Sequence, residues 1–287
     1  MIDTGKLTSY GVAANAATCS ILTITAWQSL FTVKTFVMAG KGLPPFTMGV
    51  LYRGYGANLT CDNSNQVVAL VANKFFSETI MNSKPLSPLE SCLGGMFSGA
   101  ASGPILSFLE RVMILTQLRE ENSSVKGFRI TSQIVKNVWD KEGIRGFGRG
   151  IPITASRESI NYGCFFGLKN ILQRQAEKRI EDKKTASLVS YLGAGVLAGA
   201  LTTPLDLIKT RMQKEVGGRV TFLNTVSQIV KEGSIAASGS LRISAIRNLF
   251  QGCIARSLVA GATMATFGPL TEALPAFFPG FLKEKTV

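Results

Sequence analysis

The chain has 287 residues, of which 46% are hydrophobic and 17% are charged, and its formal net charge is +13. It contains no histidine and five scattered cysteines without a CxxC pair, which excludes His-based catalytic triads and HExxH sites and gives no sign of a zinc site or a disulfide framework. Its Lys and Arg residues lie between apolar segments, which favours an anionic membrane surface over nucleic acid as the partner of this charge.

Six apolar segments follow one another along the chain, each long enough for the about 20 residues that cross a bilayer core. They lie at about residues 8–38, 57–82, 88–119, 152–178, 186–215 and 254–275. An ionisable group at membrane depth normally faces a partner or a watery cavity. The pattern therefore predicts an all-α membrane protein in which six amphipathic transmembrane helices surround a path for a solute. The ionisable residues within the segments are Asp62, Glu110, Arg111, Arg157, Glu158, Asp206 and Lys209.

Three similar glycine motifs divide the chain into thirds. "GVLYRG" ends at Gly54, "RGFGRG" at Gly150 and "RNLFQG" at Gly252. The amphipathic segments "TSQIVKNVWDKEG" and "LNTVSQIVKEG" precede the second and third motifs. Periodicity of this kind indicates structural repeats. We therefore expect repeats at residues 1–83, 84–182 and 183–287, each with a long helix, a short amphipathic helix, a glycine turn and a second long helix.

The stretch "PLDLIKTRMQ" places a proline, a carboxylate and two cations on successive turns of the fifth apolar segment. Together with the glycine motifs it resembles the mitochondrial carrier family, whose signature is Pro-x-[Asp/Glu]-x-x-[Lys/Arg]-x-[Lys/Arg]-x-Gln. A helix that is merely kinked by proline and carries ion pairs would not explain the periodicity. Pro204 should bend its helix because it removes one helical hydrogen bond. The signature is met in full by Pro204, Asp206, Lys209, Arg211 and Gln213.

The resemblance implies a fold and a class of function. The fold is three pseudo-symmetric repeats with two transmembrane helices each and short amphipathic helices on the matrix side. The function is the exchange of small charged metabolites across the mitochondrial inner membrane by alternating access. Such a protein is a multi-pass membrane protein that acts as a monomer, is not an enzyme, and binds neither a metal nor nucleic acid.

The first two copies of the signature are degraded. In "SFLERVMILTQ" the acid Glu110 and Gln117 remain, while Met113 stands at the position of the cation. In "SLFTVKTFVM" only the cation Lys34 remains, and Phe31 replaces the acid. Fewer residues separate this first copy from its glycine turn than in the other two repeats, so we expect the first amphipathic helix to be largely deleted.

The resemblance also implies a matrix gate, in which the acid of each odd-numbered helix pairs with the cation of the next. Both losses fall on the same pair, so no charged residue is left without its partner. A buried charge without a partner would cost about 3–5 kcal/mol. We therefore expect the gate still to close, with Gln117 and Gln213 as hydrogen-bonding braces; the alternative is drift in a dispensable gate. The implied pairs are Glu110 with Lys209, Asp206 with Lys34, and Phe31 with Met113.

At the opposite end, the family closes the cytoplasmic side with charged residues on the even-numbered helices. Of the matching acid positions Lys74, Asn170 and Glu272, only Glu272 keeps the expected charge. Alternating access depends on the balance between two closed states. We therefore predict a weak cytoplasmic gate and a resting preference for the cytoplasm-open state.

Counting seven and eight residues from each glycine turn gives the positions that the resemblance implies for substrate contacts. Arg157 and Glu158 on the fourth helix are similar to the pattern of amino-acid and carnitine-type carriers. The Arg157 guanidinium could bind a carboxylate or a phosphate, while Asp62 and Glu158 could hold an amine. The third repeat has no charge at these positions. The remaining candidate contacts are Cys61 and, eleven residues after the turns, Asn65, Asn161 and Thr263.

Several interpretations stay open at this point. Arg157 and Glu158 could instead neutralise each other as a structural pair. A nucleotide such as ATP or ADP, or another phosphorylated anion, would also suit the basic chain, and a transport-inactive membrane adaptor would explain the degraded first repeat. No cofactor is expected, apart from cardiolipin as a structural lipid. The resemblance places its headgroups near the helix N-termini at Gly54, Gly150 and Gly252, where free backbone N–H groups favour anions.

Overall fold

In the computed structural model of the protein, residues 9–81, 87–119, 128–217, 220–236 and 246–277 are described. These residues contain helices and no strand. The helix α3 continues into a π-helical turn at Phe76–Ile80, and a second such turn, Cys164–Leu168, joins α7 to α8. The helices are α1 (Ser9–Met38), α2 (Met48–Leu51), α3 (Tyr55–Phe75), α4 (Pro88–Gln117), α5 (Phe128–Glu142), α6 (Ile144–Phe147), α7 (Ile151–Gly163), α8 (Lys169–Ala176), α9 (Lys183–Gln213), α10 (Phe222–Ala236) and α11 (Cys253–Phe277).

The long helices form a closed ring. Around it, α1 packs against α3, α3 against α4, α4 against α7, α7 and α8 against α9, and α9 against α11. The ring closes because α11 packs back against α1. The continuous segment from α7 to α8 counts as one of the six long segments in this part of the chain. The predicted all-α fold with six long helical segments is therefore confirmed.

The ring has the polarity expected of a protein in lipid. Asn58, Arg157 and Asp206 are buried inside it, whereas Leu197 and Leu201 are exposed on the outside. Among the described residues, four helical segments are long and apolar enough to cross a membrane: Tyr10–Met38, Pro88–Gln117, Lys183–Gln213 and Ile246–Leu274. The helix α3 falls outside this group and carries the buried polar residues Asn58, Asn65 and Lys74, and α7 has only 13 residues before its π-helical turn. These helices fit a multi-pass membrane protein.

Short helices lie between the two long helices of each third of the chain. The second and third thirds contain the 15-residue helices α5 and α10, which match the predicted amphipathic segments. Between α1 and α3 the only helix is α2, which has four residues. The expected loss of the first amphipathic helix is therefore confirmed.

In each third of the chain, one glycine directly precedes the second long helix. Gly54, Gly150 and Gly252 have φ values of 73°, 90° and 82°, a left-handed conformation that side chains other than glycine rarely adopt. A different glycine sets the distance between α4 and α7: a Cβ atom at Gly99 would overlap the backbone of Glu158. Small residues of this kind let helices approach closely in lipid. The close approach brings Arg157 and Glu158 towards the charged residues of α4.

Candidate functional site

Seven ionisable side chains meet inside the ring and are here termed the central charge cluster. Each of them is at most 6% exposed. They come from α1, α4, α7, α9 and α11, so the cluster connects helices from all three thirds of the chain. Its members are Lys34, Glu110, Arg157, Glu158, Asp206, Lys209 and Arg256.

Two ion pairs join α9 to α1 and to α4, which are not its neighbours in the ring. Lys34 Nζ donates to Asp206 Oδ2 at 3.0 Å, which links α1 to α9. Lys209 Nζ lies 2.6 Å from Glu110 Oε2, which links α9 to α4. The structure thus brings together both charged pairs that the sequence motifs matched.

Arg157 occupies the middle of the cluster. Its Nη1 atom donates to Asp206 Oδ1 at 2.7 Å, and its Nη2 atom donates to Glu110 Oε1 at 2.8 Å. The same Nη2 atom also bonds to Glu158, the next residue in the chain. The planar guanidinium has five N–H donors, which suits it to several carboxylates at once. Arg157 therefore ties together the two acids of the ion pairs, and the pairing with Glu158 that the sequence left open is formed.

Asp206 is surrounded by cations. Besides Lys34 and Arg157, Lys209 Nζ lies 3.2 Å from its Oδ1 atom and Arg256 Nε lies 3.5 Å from its Oδ2 atom. A buried carboxylate is costly unless partners compensate for its lost hydration. Pro204 lies in the same helix, two residues earlier, where it cannot donate a backbone hydrogen bond.

The apolar members of the implied gate are placed differently. Met113 belongs to a buried apolar cluster that also contains Phe36, Cys61 and Leu106. Phe31 is half-buried and is not part of this cluster. Phe31 therefore does not pack into the apolar cluster that holds Met113. No charge attraction directs Met113, and it packs against the apolar side chains nearest to it.

The two glutamines lie at the glycine turns. A Cβ atom at Gly54 would contact Gln117, and one at Gly150 would contact Gln213. Gln213 Nε2 donates to the backbone oxygen of Ser107 at 3.2 Å and so ties α9 to α4. Gln117 is fully buried, and its amide atoms have no hydrogen-bond partner in the described part of the chain. At the third turn, Gly252 faces Met38, which stands at the position of these glutamines in the first repeat.

The other candidate substrate contacts fall into two groups. Asp62 accepts a hydrogen bond from Ser20 Oγ at 2.7 Å, and Asn65 Nδ2 donates to Glu158 Oε2 at 3.5 Å. Cys61 is buried in the apolar cluster around Met113. Asn161 and Thr263, by contrast, line a cavity of about 50 Å³.

That cavity also reveals a residue that sequence reasoning did not place at the site. Arg256 lies on its wall, although the count from Gly252 pointed to Val259 and Ala260, one turn later. A long guanidinium side chain can bridge such an offset, which residue spacing alone does not show. The cavity is lined by Gln66, Asn161, Tyr162, Phe165, Arg256, Ala260, Thr263, Met264 and Phe267.

The opposite end of the ring has a smaller charged contact. Lys169 Nζ lies 3.4 Å from Glu272 Oε1, and Tyr191 Oη donates to the same oxygen at 2.6 Å. Lys169 also lies 4.5 Å above the centre of the Tyr191 ring, which is a cation–π distance. This contact joins α8, α9 and α11.

A second network ties α4 to the short helices. Arg111 is fully buried, and its Nη1 and Nη2 atoms both donate to the Glu142 carboxylate at 2.9 Å. Partial burial alone would raise the pKa of Glu142, but the hydrogen bonds from Arg111 and from the Gly217 N–H, with the charge of Arg149, hold this pKa below its ordinary value. In the third repeat, Arg211 pairs similarly with Glu232 at 3.1 Å. The position matching Arg211 in the second repeat holds Leu115, so Arg111 makes this contact from one turn earlier.

Comparison with known proteins gives a consistent result. A family model described as "Mitochondrial carrier protein" matches residues 84–179 and 181–279. The mitochondrial arginine transporter of Arabidopsis thaliana is 27% identical over 63% of this chain and 62% of its own length. The probable mitochondrial 2-oxodicarboxylate carrier of Dictyostelium discoideum is 27% identical over 58% of this chain and 56% of its own length. The mitochondrial glycine transporter of Kluyveromyces lactis is 25% identical over 80% of this chain and 78% of its own length. The chain thus spans about six tenths of the first two relatives.

Proposed function

Because the chain belongs to the mitochondrial carrier family, we propose that it exchanges small charged metabolites across the mitochondrial inner membrane by alternating access. The observation that carries this proposal is the pair of buried ion pairs, Lys34 with Asp206 and Lys209 with Glu110. They join α1, α4 and α9 inside the ring, as a gate that closes one end of a solute path requires. The protein moves its substrate and performs no covalent chemistry on it.

We assign Arg157 to the gate as its third tie. The first repeat has lost its acid and the second its cation, so the third ion pair of the family is missing. Arg157 joins Asp206 to Glu110 directly and so connects α9 to α4 through α7. At the other end, Lys169 and Glu272 form a partly exposed contact. This difference supports a resting state that is closed towards the matrix and open towards the cytoplasm.

We propose an amino acid or a carnitine-like compound as the substrate. Such compounds carry a carboxylate and a cationic nitrogen, and the site offers both arginines and the acids Asp62 and Glu158. The named substrates of two relatives, arginine and glycine, are consistent with this class. A nucleotide or another phosphorylated anion is the second candidate, supported by the excess of cations around Asp206. A membrane adaptor without transport activity is the third, supported by the reduced first repeat.

Cardiolipin is proposed as a structural lipid at the glycine turns. Gly54, Gly150 and Gly252 precede the first turns of α3, α7 and α11, where unpaired backbone N–H groups attract phosphate. Beside Gly54, a cavity of about 630 Å³ extends to Thr116 and Ile130, and its wall is largely apolar. A space of this kind suits acyl chains with a headgroup at the helix end. The functional unit is proposed to be a monomer.

The test of the proposed function is transport by the purified protein in proteoliposomes. Labelled arginine, glycine, carnitine, 2-oxoglutarate and ATP would be offered separately to liposomes loaded with the same unlabelled compound. Uptake of an amino acid or carnitine that exceeds the uptake by protein-free liposomes supports the proposal. Uptake of ATP alone would favour the second candidate, and the absence of any uptake would favour the adaptor.

A further inference from the structure

We propose that Arg256, rather than Arg157, binds the anionic group of the substrate, and that this group is a carboxylate. The inference rests on the proposed transport function and deepens it by naming the charge that meets the substrate. The two arginines of the central charge cluster differ in how many protein carboxylates they contact.

The guanidinium of Arg157 is already committed to protein carboxylates. Both of its Nη atoms bond to acids: Nη1 to Asp206 at 2.7 Å and Nη2 to Glu110 at 2.8 Å. Nη2 also contacts Glu158. A substrate carboxylate would have to displace buried acids from this guanidinium. Displacement of that kind would leave those acids buried without a partner, which is costly.

Arg256 is buried to a similar degree but is far less committed. Its side chain lies on the cavity wall, and its closest acid in the described part of the chain is Asp206, at 3.5 Å from Nε. This Nε–H group makes no hydrogen bond to any described residue. A buried donor without a partner costs free energy, which a carboxylate can recover by accepting charge-assisted hydrogen bonds.

The charge of the cluster favours an anionic ligand. Four cations, Lys34, Arg157, Lys209 and Arg256, face three acids, Glu110, Glu158 and Asp206. The acid that Arg256 approaches, Asp206, already has closer contacts with the other three cations. Arg256 is therefore the cation with the least compensation in the cluster. An anionic group beside Arg256 would give this cation a closer partner than Asp206, which lies 3.5 Å from Nε.

The rest of the cavity favours a carboxylate over a phosphate chain. Its lining contains no acid and no cation other than Arg256, but it includes the neutral polar side chains of Asn161 and Thr263. The Asn161 Oδ1 atom has no partner among the residues described. A volume of about 50 Å³ has room for only a few water-sized groups. A single carboxylate meets this limit, whereas a triphosphate does not.

Binding at Arg256 would also reach the gate. The same guanidinium faces the cavity and stands next to Asp206, the partner of Lys34. A carboxylate bound to Arg256 would partly neutralise its positive charge. The electrostatic attraction between Arg256 and Asp206, which contributes to the proposed gate, would then be weaker. Substrate and gate would be coupled through one side chain.

The test measures ligand-induced stabilisation of the full-length protein in detergent, which does not depend on transport. The thermal unfolding of the wild type, Arg256→Gln and Arg256→Lys would be followed against glycine, arginine, 2-oxoglutarate, glycinamide and ATP. We expect at least one of the three carboxylates to stabilise the wild type, and Arg256→Gln to weaken its apparent affinity roughly 10- to 100-fold. Arg256→Lys should show an intermediate loss, because it keeps the charge without the planar fork. Glycinamide, which lacks a carboxylate, should not stabilise either protein.

Arg174→Gln is the matched control, because Arg174 is an exposed arginine of α8, away from the central charge cluster. It should respond to each compound as the wild type does. Equal affinity in Arg256→Gln and the wild type, stabilisation by ATP alone, or no stabilisation of the wild type by any carboxylate would overturn the inference. If Arg256→Gln does not fold, a wild-type affinity in Arg256→Lys would overturn it as well. Binding that depends on Arg256 without any exchange in proteoliposomes would instead contradict the transport function.

Discussion

Lys34 Nζ and Asp206 Oδ2 lie 3.0 Å apart inside the ring, although 172 positions separate the two residues in the chain. The contact joins the most degraded copy of the signature to the intact one. Lys34 is the only charged signature residue left in the first repeat, and the structure places it on the acid of the third. The charged signature residues that remain in the two degraded copies, Lys34 and Glu110, therefore each pair with a charge of the intact copy.

Removal of Asp206 should be more damaging than removal of Lys34. Asp206 has three cationic groups within 3.2 Å. Asp206→Asn leaves Lys34 and Arg256 without a carboxylate partner among the described residues. Lys34→Met leaves Asp206 with its other partners. We expect Asp206→Asn to cost about 3–5 kcal/mol and Lys34→Met less, measured by thermal unfolding in detergent. Asp140→Asn, at an exposed position of α5, is the control and should be neutral. A loss from Asp206→Asn no larger than that from the control would contradict the arrangement.

The proposed role of Arg157 in the gate predicts that lysine cannot replace it. A lysine ammonium is a compact charge on a flexible chain and cannot span two acids with a planar fork. We expect Arg157→Lys to unfold at a lower temperature and to let labelled solute leak faster from loaded proteoliposomes. Arg174→Lys, a matched change at an exposed position, should do neither. Unchanged stability and leak in Arg157→Lys would show that the gate does not depend on this side chain.

The close packing of α4 on α7 predicts opposite effects of two glycine substitutions. A Cβ atom at Gly99 would overlap the backbone of Glu158, and overpacking of this kind typically costs about 1–3 kcal/mol. Gly56 of α3 has no atom within 4 Å of its would-be Cβ, so alanine there should stabilise the helix by about 0.5–1 kcal/mol. Thermal unfolding of Gly99→Ala and Gly56→Ala measures both. Equal shifts in the two variants would contradict the predicted helix contact.

The contact between Arg111 and Glu142 predicts a pH dependence. The pKa of Glu142 is lowered in the folded protein, so its stabilisation is present above the ordinary value of about 4.3 and is lost as the pH falls below it. Arg111→Met should cost about 1.5–3 kcal/mol at neutral pH, because Glu142 loses its bidentate partner but keeps Arg149 and the Gly217 N–H. It should also flatten the loss of stability between about pH 5 and pH 3. An unfolding profile in Arg111→Met that keeps the slope of the wild type would contradict this origin.

The sequence predicts those parts of the protein that follow from residue type at a fixed spacing. The glycine motifs predict the turns at Gly54, Gly150 and Gly252. The resemblance to the carrier family implies the pairs Lys34 with Asp206 and Lys209 with Glu110, and both pairs are formed. The gap between the first signature and its turn predicts the missing amphipathic helix.

Contacts that depend on the direction of long side chains could not be predicted in this way. Counting from Gly150 places Arg157 at an implied substrate-contact position, but its guanidinium bonds to Asp206 and Glu110 instead. Arg256 lies one turn before the counted position and still lines the cavity. Besides Glu142, Arg111 donates to the backbone oxygens of Gly146 in α6 and of Glu215 after α9. These contacts are set by tertiary structure, which spacing along one helix does not encode.

The most direct measurement of the central claim is exchange. Proteoliposomes containing the purified protein would be loaded with unlabelled arginine, glycine or carnitine, and the uptake of the same labelled compound would be compared with uptake into unloaded proteoliposomes. A carrier that works by alternating access predicts faster uptake into the loaded proteoliposomes for at least one compound, and a loss of this uptake in Asp206→Asn. Equal uptake with and without internal substrate, at the level of protein-free liposomes, would contradict the proposed function.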